Sequence, residues 1–448
     1  MNNAVSMWVA GIALAALGVA PVVAQEAQQS DTYAVRGATL HTVANGTIEN
    51  GTIVVRSGRI VAVGTDVVIP ADAEVLDGTG KHVFPGLVDA MSSLGLTEIG
   101  SVPMTSDNSE LGSWNPHLNA YTAIHPASEH IPVARANGIT HTLAVPGGGR
   151  GGGSAGIAGQ GTLIHLDGWT VEEMQIEKSA AMVINWPRLA VGGGGRFGGF
   201  GGGGGSRTFA DAERRFDEDV AEMDGWLQAA RHYRQAVESG STRIERDVQL
   251  ESLMLILDGG MKVIIRADGH REIRSAVEFA DRWSLDIAIA GAGEAREVAD
   301  LLAQRNIPVI LGPVQRTPRG DDTAYDEPNT LPGELHDAGV EIAFATFNSA
   351  DSRTLPYEAA NSVSWGLPRE AALEAITLAP ARILGVDSQL GSLEVGKLRN
   401  LIVTDGDAME ITTQIEHVFI KGVPVDLANK HSELWEKYKA RPTRRIAS

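Results

Sequence analysis

Between His82 and Thr346 the chain carries eight short apolar runs: HVFPGLVDA, GITHTLAV, GTLIHL, AAMVIN, MKVIIRA, LDIAIAG, IPVILG and VEIAFAT. Most are continuous rather than alternating, the pattern of strands buried on both faces. The later ones are followed by stretches with helical spacing, such as residues 293–304 and 368–378. Strand and helix in repetition place parallel strands side by side with helices outside. The predicted fold is therefore α/β, a TIM-like (β/α)8 barrel spanning residues 82–390.

The flanks read differently. Residues 32–81 hold short strands, with Ser57-Gly58 as a tight turn between two apolar runs, and form the first half of a small β-sandwich. Residues 391–429 return to short strands and supply its second half, so the sandwich is a composite of both chain ends, followed by a tail over residues 430–448. Residues 1–24 carry no charged side chain, an apolar centre and Val22-Val23-Ala24 before Gln25, which reads as a cleaved secretory signal and a periplasmic or secreted protein. This stretch has no Lys or Arg near its start, so an uncleaved anchor is the alternative.

Two glycine-rich tracts interrupt the barrel, at 147–161 and 192–205, the second with eleven glycines in fourteen residues. Neither is followed by the Lys-Ser or Lys-Thr of a phosphate loop, and glycine this dense predicts surface loops. Arg196, Phe197 and Phe200 would form an adhesive tip on the second. A formal charge of −19 excludes nucleic acid and anionic membrane surfaces as natural partners. The absence of Cys removes disulfides, thiol nucleophiles and thiolate metal sites.

The segment VFPGLVDAMSSLGL, with GTGK before it, resembles the first barrel strand of the amidohydrolase superfamily, whose metal-dependent members include imidazolonepropionase-like and prolidase-like enzymes. NPHLNAYTAIHP with ARANGITHTLAVPGG, then LPYEAANSVSWGLPREAALEAITLAPARILGV, then GSLEVGKLRNLIVTDGD with IEHVFIKGVPV continue the resemblance in the same order. It implies a barrel with zinc or a similar ion at the C-terminal strand ends. The ion would be held by His-x-His, a bridging acid or carbamylated lysine, two later histidines and an aspartate. Such an ion lowers the pKa of bound water to about 7, so that hydroxide attacks an amide or ring C–N bond.

The positions that should carry these ligands hold other residues. Met91 and Ser93 stand where His-x-His is expected, and a thioether and an unionised hydroxyl are poor zinc ligands. Arg266 follows the fifth run, Ala290 the sixth and Asn348 the eighth, and MVINWPR offers no bridging acid or lysine at the fourth. The expectation is a barrel without a metal site and without a cofactor. Its function would be as a binding or partner subunit for a small molecule or peptide, paired with an active relative or with itself. The alternative is a working hydrolase that uses displaced groups, Asp268, His270 and Asp351.

Other polar residues have structural readings beside functional ones. His117 could line the barrel mouth, with His125 and His130 near it. His141 and His165 alternate with apolar neighbours, as buried structural histidines do. Thr170 and Glu173 have capping-box spacing, the acids of 211–224 form a solvated helix face, and Trp114, Trp169 and Trp365 are core or pocket wall.

Overall fold

The computed structural model describes residues 32–147, 154–189, 208–240, 244–318 and 323–440. Residues 1–24, expected to be a signal, and the tract at 192–205, with its Arg196, Phe197 and Phe200, lie outside the described residues.

Both chain ends meet in one hydrogen-bonded sheet. Its N-terminal strands are β1 (Thr32–His41), β2 (Thr47–Arg56), β3 (Arg59–Gly64), β4 (Glu74–Asp77) and β5 (His82–Pro85). The β2–β3 hairpin turns at Ser57 and Gly58, both with positive φ, as the sequence predicts. Far along the chain, β14 (Leu401–Thr404) runs antiparallel to β5, and β15 (Ile415–Ile420) and β16 (Val423–Pro424) extend the edge. Alternate residues of these strands, among them Leu40, Ile53, Val83, Val403 and Phe419, enclose a separate apolar core. Arg399 is buried against the rings of Tyr33 and Phe419, 4.1 and 3.5 Å from their centroids, and donates to Gly422 O. The sheet therefore forms only when sequence-distant strands meet.

The second sheet is the barrel: β6 (Leu87–Ser92), β7 (Ile139–Ala144), β8 (Gly156–His165), β9 (Gln175–Asn185), β10 (Lys262–Ala267), β11 (Ile287–Gly291), β12 (Val309–Leu311) and β13 (Ile342–Phe344), bonded in chain order. Each strand falls on one of the eight predicted runs. Two expectations need correction. First, β8 runs antiparallel to both β7 and β9, so the barrel is not wholly parallel. The links on either side of β8, residues 145–155 and 166–174, are too short for a crossover with a full helix, which needs a dozen or more residues. Between β8 and β9 there is only the turn of helix Val171–Met174, capped by Thr170, whose hydroxyl accepts from Glu173 N, while Glu173 reaches back to Trp169 N. Second, the glycine tract at 147–161 is not simply a loop: residues 156–161 are strand. A Cβ on Gly156 would lie 2.0 Å from Ser113 O and one on Gly159 2.6 Å from Leu118 O. Glycine serves there to admit a neighbouring backbone, not to loosen the chain.

Helices cover the later strands: Phe209–Glu238, capped by Thr208, and Val248–Leu257 precede β10, and His270–Trp283 follows it. The acids of 211–224 do lie mostly on the outer face of the first, whose buried residues are Ala212, Met223, Leu227 and Ala230. Helix Lys430–Lys439 occupies the described part of the tail. Among the described residues no helix is long and apolar enough to cross a membrane.

A Cβ on Gly86, at the entry to β6, would meet Thr140 Oγ1 at 2.1 Å, and Thr140 is held by its bond to Leu87 O. Gly86→Ala should cost about 1–3 kcal/mol by overpacking. A urea unfolding curve with an unchanged midpoint would contradict that packing.

Candidate functional site

In a β/α barrel the C-terminal strand ends form the chemical face. The fourth, fifth and sixth barrel strands place Asn185, Arg266 and Ala290 in one lateral row, through the register pairs Arg266↔Asn185 and Arg266↔Ala290. Arg266 shares the inward face with Ile264, because residues two apart on a strand point the same way. Its side chain is almost wholly enclosed, 6% exposed. Nη1 donates to Gly147 O at 3.0 Å and to Asn185 Oδ1 at 3.2 Å, and Nε is buried with no partner among the described residues. Burial pulls its pKa down to about 10, so the guanidinium stays charged at neutral pH.

Across the mouth, Met91 and Phe347 fill the interior together with Val145, Ala290 and Ala345. Phe347 has φ 56°, a left-handed backbone that a bulky residue seldom adopts, and its N–H donates to Met91 O at 3.0 Å. That bond ties the last barrel strand to the first and turns the ring inward. Asp89 makes the same link from inside. Its carboxylate accepts from Thr346 N at 3.1 Å, from Met91 N at 3.3 Å and from the Thr346 hydroxyl. Complete burial raises its pKa to about 7, against the downward pull of those bonds.

The other sequence candidates are more dispersed. Ser93 is buried just beyond β6. Asn348 is exposed, its Oδ1 accepting from Ala350 N, because the turn at Phe347 carries it away from the interior. Asp351 is exposed at the start of a short 3-10 turn, Ser352–Thr354. Asp268 accepts from Arg188 at 3.3 Å. His270 does not pair with Asp268: it begins a helix, and both its backbone N and ring Nδ1 meet Glu294 Oε2, at 3.0 and 2.7 Å. His117 and His125 are exposed, and His130 bonds Glu98 O at 2.7 Å.

His141 and His165 pair across β7 and β8, ring centroids 5.0 Å apart. Burial lowers the pKa of His141 well below the usual imidazole value and that of His165 to about 3. Both are buried, as expected; His141 Nδ1 meets Thr140 Oγ1 at 2.6 Å, while His141 Nε2 and His165 Nδ1 have no partner among the described residues. Trp114 stacks on Trp226, whereas Trp169 is 92% exposed on the rim of a surface groove of about 420 Å³. Trp365 meets Tyr325 edge to face.

The amidohydrolase family profile matches residues 299–425. A solved amidohydrolase from Thermotoga maritima is 26% identical, covers 88% of this chain and 99% of its own, and superposes with a TM-score of 0.75. Over residues 299–425 the chain matches the amidohydrolase family, and over most of its length it shares the fold of that solved amidohydrolase. Amidohydrolase tasK of Hapsidospora irregularis is 24% identical over 85% of this chain, and the chain spans only 41% of that relative's length. A prolidase complexed with N-methylphosphonate-L-proline is 16% identical, covers 88% of this chain and 99% of its own with a TM-score of 0.54, and shares the fold.

Divalent zinc needs imidazole, carboxylate or similar donors converging at about 2.0–2.2 Å. The positions at this mouth offer a thioether, a hydroxyl, a guanidinium and a methyl group, and among the described residues no three His, Asp or Glu side chains are grouped to hold an ion. The residues present do not fit the metal of the family. Asp89, Asn185 and Phe347 are site residues that sequence reasoning missed. Asp89 and Asn185 lie within quoted apolar runs, Asn185 at the end of β9 and Asp89 inside β6, and a polar residue in such a run is the signal that could have found them.

The raised pKa of Asp89 has a testable sign. The folded state keeps the proton up to about pH 7, while the unfolded carboxyl loses it near pH 4, so between these values the group's contribution to stability falls as pH rises. Asp89→Asn, which keeps an acceptor for Thr346 N and Met91 N, should lack this component. Chemical denaturation of both proteins from pH 4 to 7 should show the difference between them shrinking at low pH, and parallel curves would refute the assignment.

Proposed function

We propose that this amidohydrolase-family protein, related by fold to prolidases and by profile to amide hydrolases, has lost the catalytic ion and serves as a periplasmic binding or partner subunit. The observation that carries the reading is Arg266, an enclosed cation where the family resemblance calls for a metal-binding histidine. A fixed positive charge at that point repels a divalent ion instead of holding it. Met91 and Phe347 occupy the neighbouring space with apolar atoms. No hydroxide can be generated by such a set, so what remains is an enclosed, positively charged mouth suited to binding.

The alternative of a hydrolase with displaced ligands needs Asp268, His270 and Asp351 to converge. His270 is engaged by Glu294, and Asp351 is solvent-facing on another segment, which argues against that reading. A paired subunit with an intact site, encoded nearby and co-purifying with this chain, is the partner the reading favours.

Elemental analysis of protein purified after zinc loading should find far less than one ion per chain. A panel of dipeptides and cyclic amides should show no turnover with or without added zinc, and Asp268→Ala should change nothing. A tightly held stoichiometric ion, or zinc-dependent turnover lost in Asp268→Ala, would end the proposal.

A further inference from the structure

Arg266 poses a charge problem that the fold itself leaves open. An enclosed ion is tolerated when paired, and leaving one unpaired is strongly unfavourable. Among the described residues no carboxylate forms an ion pair with Arg266; its protein acceptors are one backbone carbonyl and one neutral amide oxygen, both taken by Nη1. Nη2 donates to nothing among the described residues, and Nε is buried and unpartnered. Asn185 is oriented by the same contact: its Oδ1 accepts from Arg266, which leaves Nδ2 as a second donor with no acceptor among the described residues. The β9 and β10 register holds the two residues side by side, so the donors are preorganised.

We infer that the barrel mouth binds a small monocarboxylate, its oxygens bridging the free edge of the Arg266 guanidinium and Asn185 Nδ2. The planar fork of a guanidinium matches the two oxygens of a carboxylate, and such charge-assisted bonds are the strong ones. One uncompensated cation calls for one negative charge. The rest of the interior at this level, Met91, Val145, Ala290 and Phe347, is apolar, which favours a carboxylate carried on an apolar group over a hydrated inorganic anion. The inference rests on the metal-free reading, because an ion at the same place would compete with the guanidinium.

Titration calorimetry of the purified protein with benzoate, its neutral isostere benzamide and inorganic phosphate tests the inference. Benzoate should bind saturably at one per chain, with benzamide and phosphate at least about tenfold weaker, the scale of one charge-assisted interaction. Arg266→Met, which keeps length and apolar bulk, should weaken benzoate by about tenfold or more. Asn185→Leu should weaken it several-fold, and it decides the matter if the first variant does not fold. Absence of benzoate binding, equal binding of benzamide or phosphate, or full affinity in the folded variants would overturn the inference. Zinc content measured on the same samples separates the two failures. Stoichiometric zinc sinks the metal-free reading, whereas failed benzoate binding without zinc sinks only the carboxylate site.

Discussion

The bond set around Asp89 closes the barrel, and the geometry of the mouth follows from it. β12 and β13 are three residues each, too short to build a ladder from the last strand to the first. Closure passes to side chain and loop: the Asp89 carboxyl gathers Thr346 N and hydroxyl from beyond β13, and Phe347 N reaches Met91 O. These bonds force Phe347 into a left-handed backbone and turn its ring inward beside Met91. One set of bonds thereby closes the cylinder and fills the place where catalytic ligands would otherwise project.

On the proposed reading, Arg266 in place of an ion preserves the sign of the local charge and discards its chemistry. A divalent metal polarises water and takes several donors at once, whereas a guanidinium holds its protons and can only donate hydrogen bonds. On that reading the mouth keeps an attraction for negative ligands without a means to activate a nucleophile. Asn185, locked by its bond to the same guanidinium, adds direction to that attraction.

Much of this was legible in the sequence. All eight barrel runs fall where strands form, and Met91, Ser93, Arg266 and Ala290 stand at or just beyond strand ends, because flanking motif residues such as Pro85, Gly86 and Asp89 pin the offset. Asn348 escaped this logic: the strained turn at Phe347 moves it to the surface, and a backbone reversal has no clear side-chain signature. The convergence of His270 and Asp268 that a hydrolase with displaced ligands would need failed for another reason. A helix begins at His270, and Glu294, from beyond the next strand, meets both its backbone N and its ring Nδ1. Glycines 156 and 159 misled because glycine serves looseness and close approach alike, and only the neighbouring backbone of Ser113 and Leu118 distinguishes them.

By itself, the order of residues determined which segments are strands, which pair into a hairpin at Ser57 and Gly58, and which residue types stand at the barrel mouth, because apolar period and turn chemistry are local properties. Only the tertiary structure decided that β8 runs against its neighbours, that burial between the first and last strands raises the pKa of Asp89, and that Arg266 lies enclosed beside Asn185 with no acid paired to it among the described residues. Burial and the identity of a neighbour are set by contacts between segments far apart in the chain, and the energy of an enclosed charge depends on nothing else so strongly.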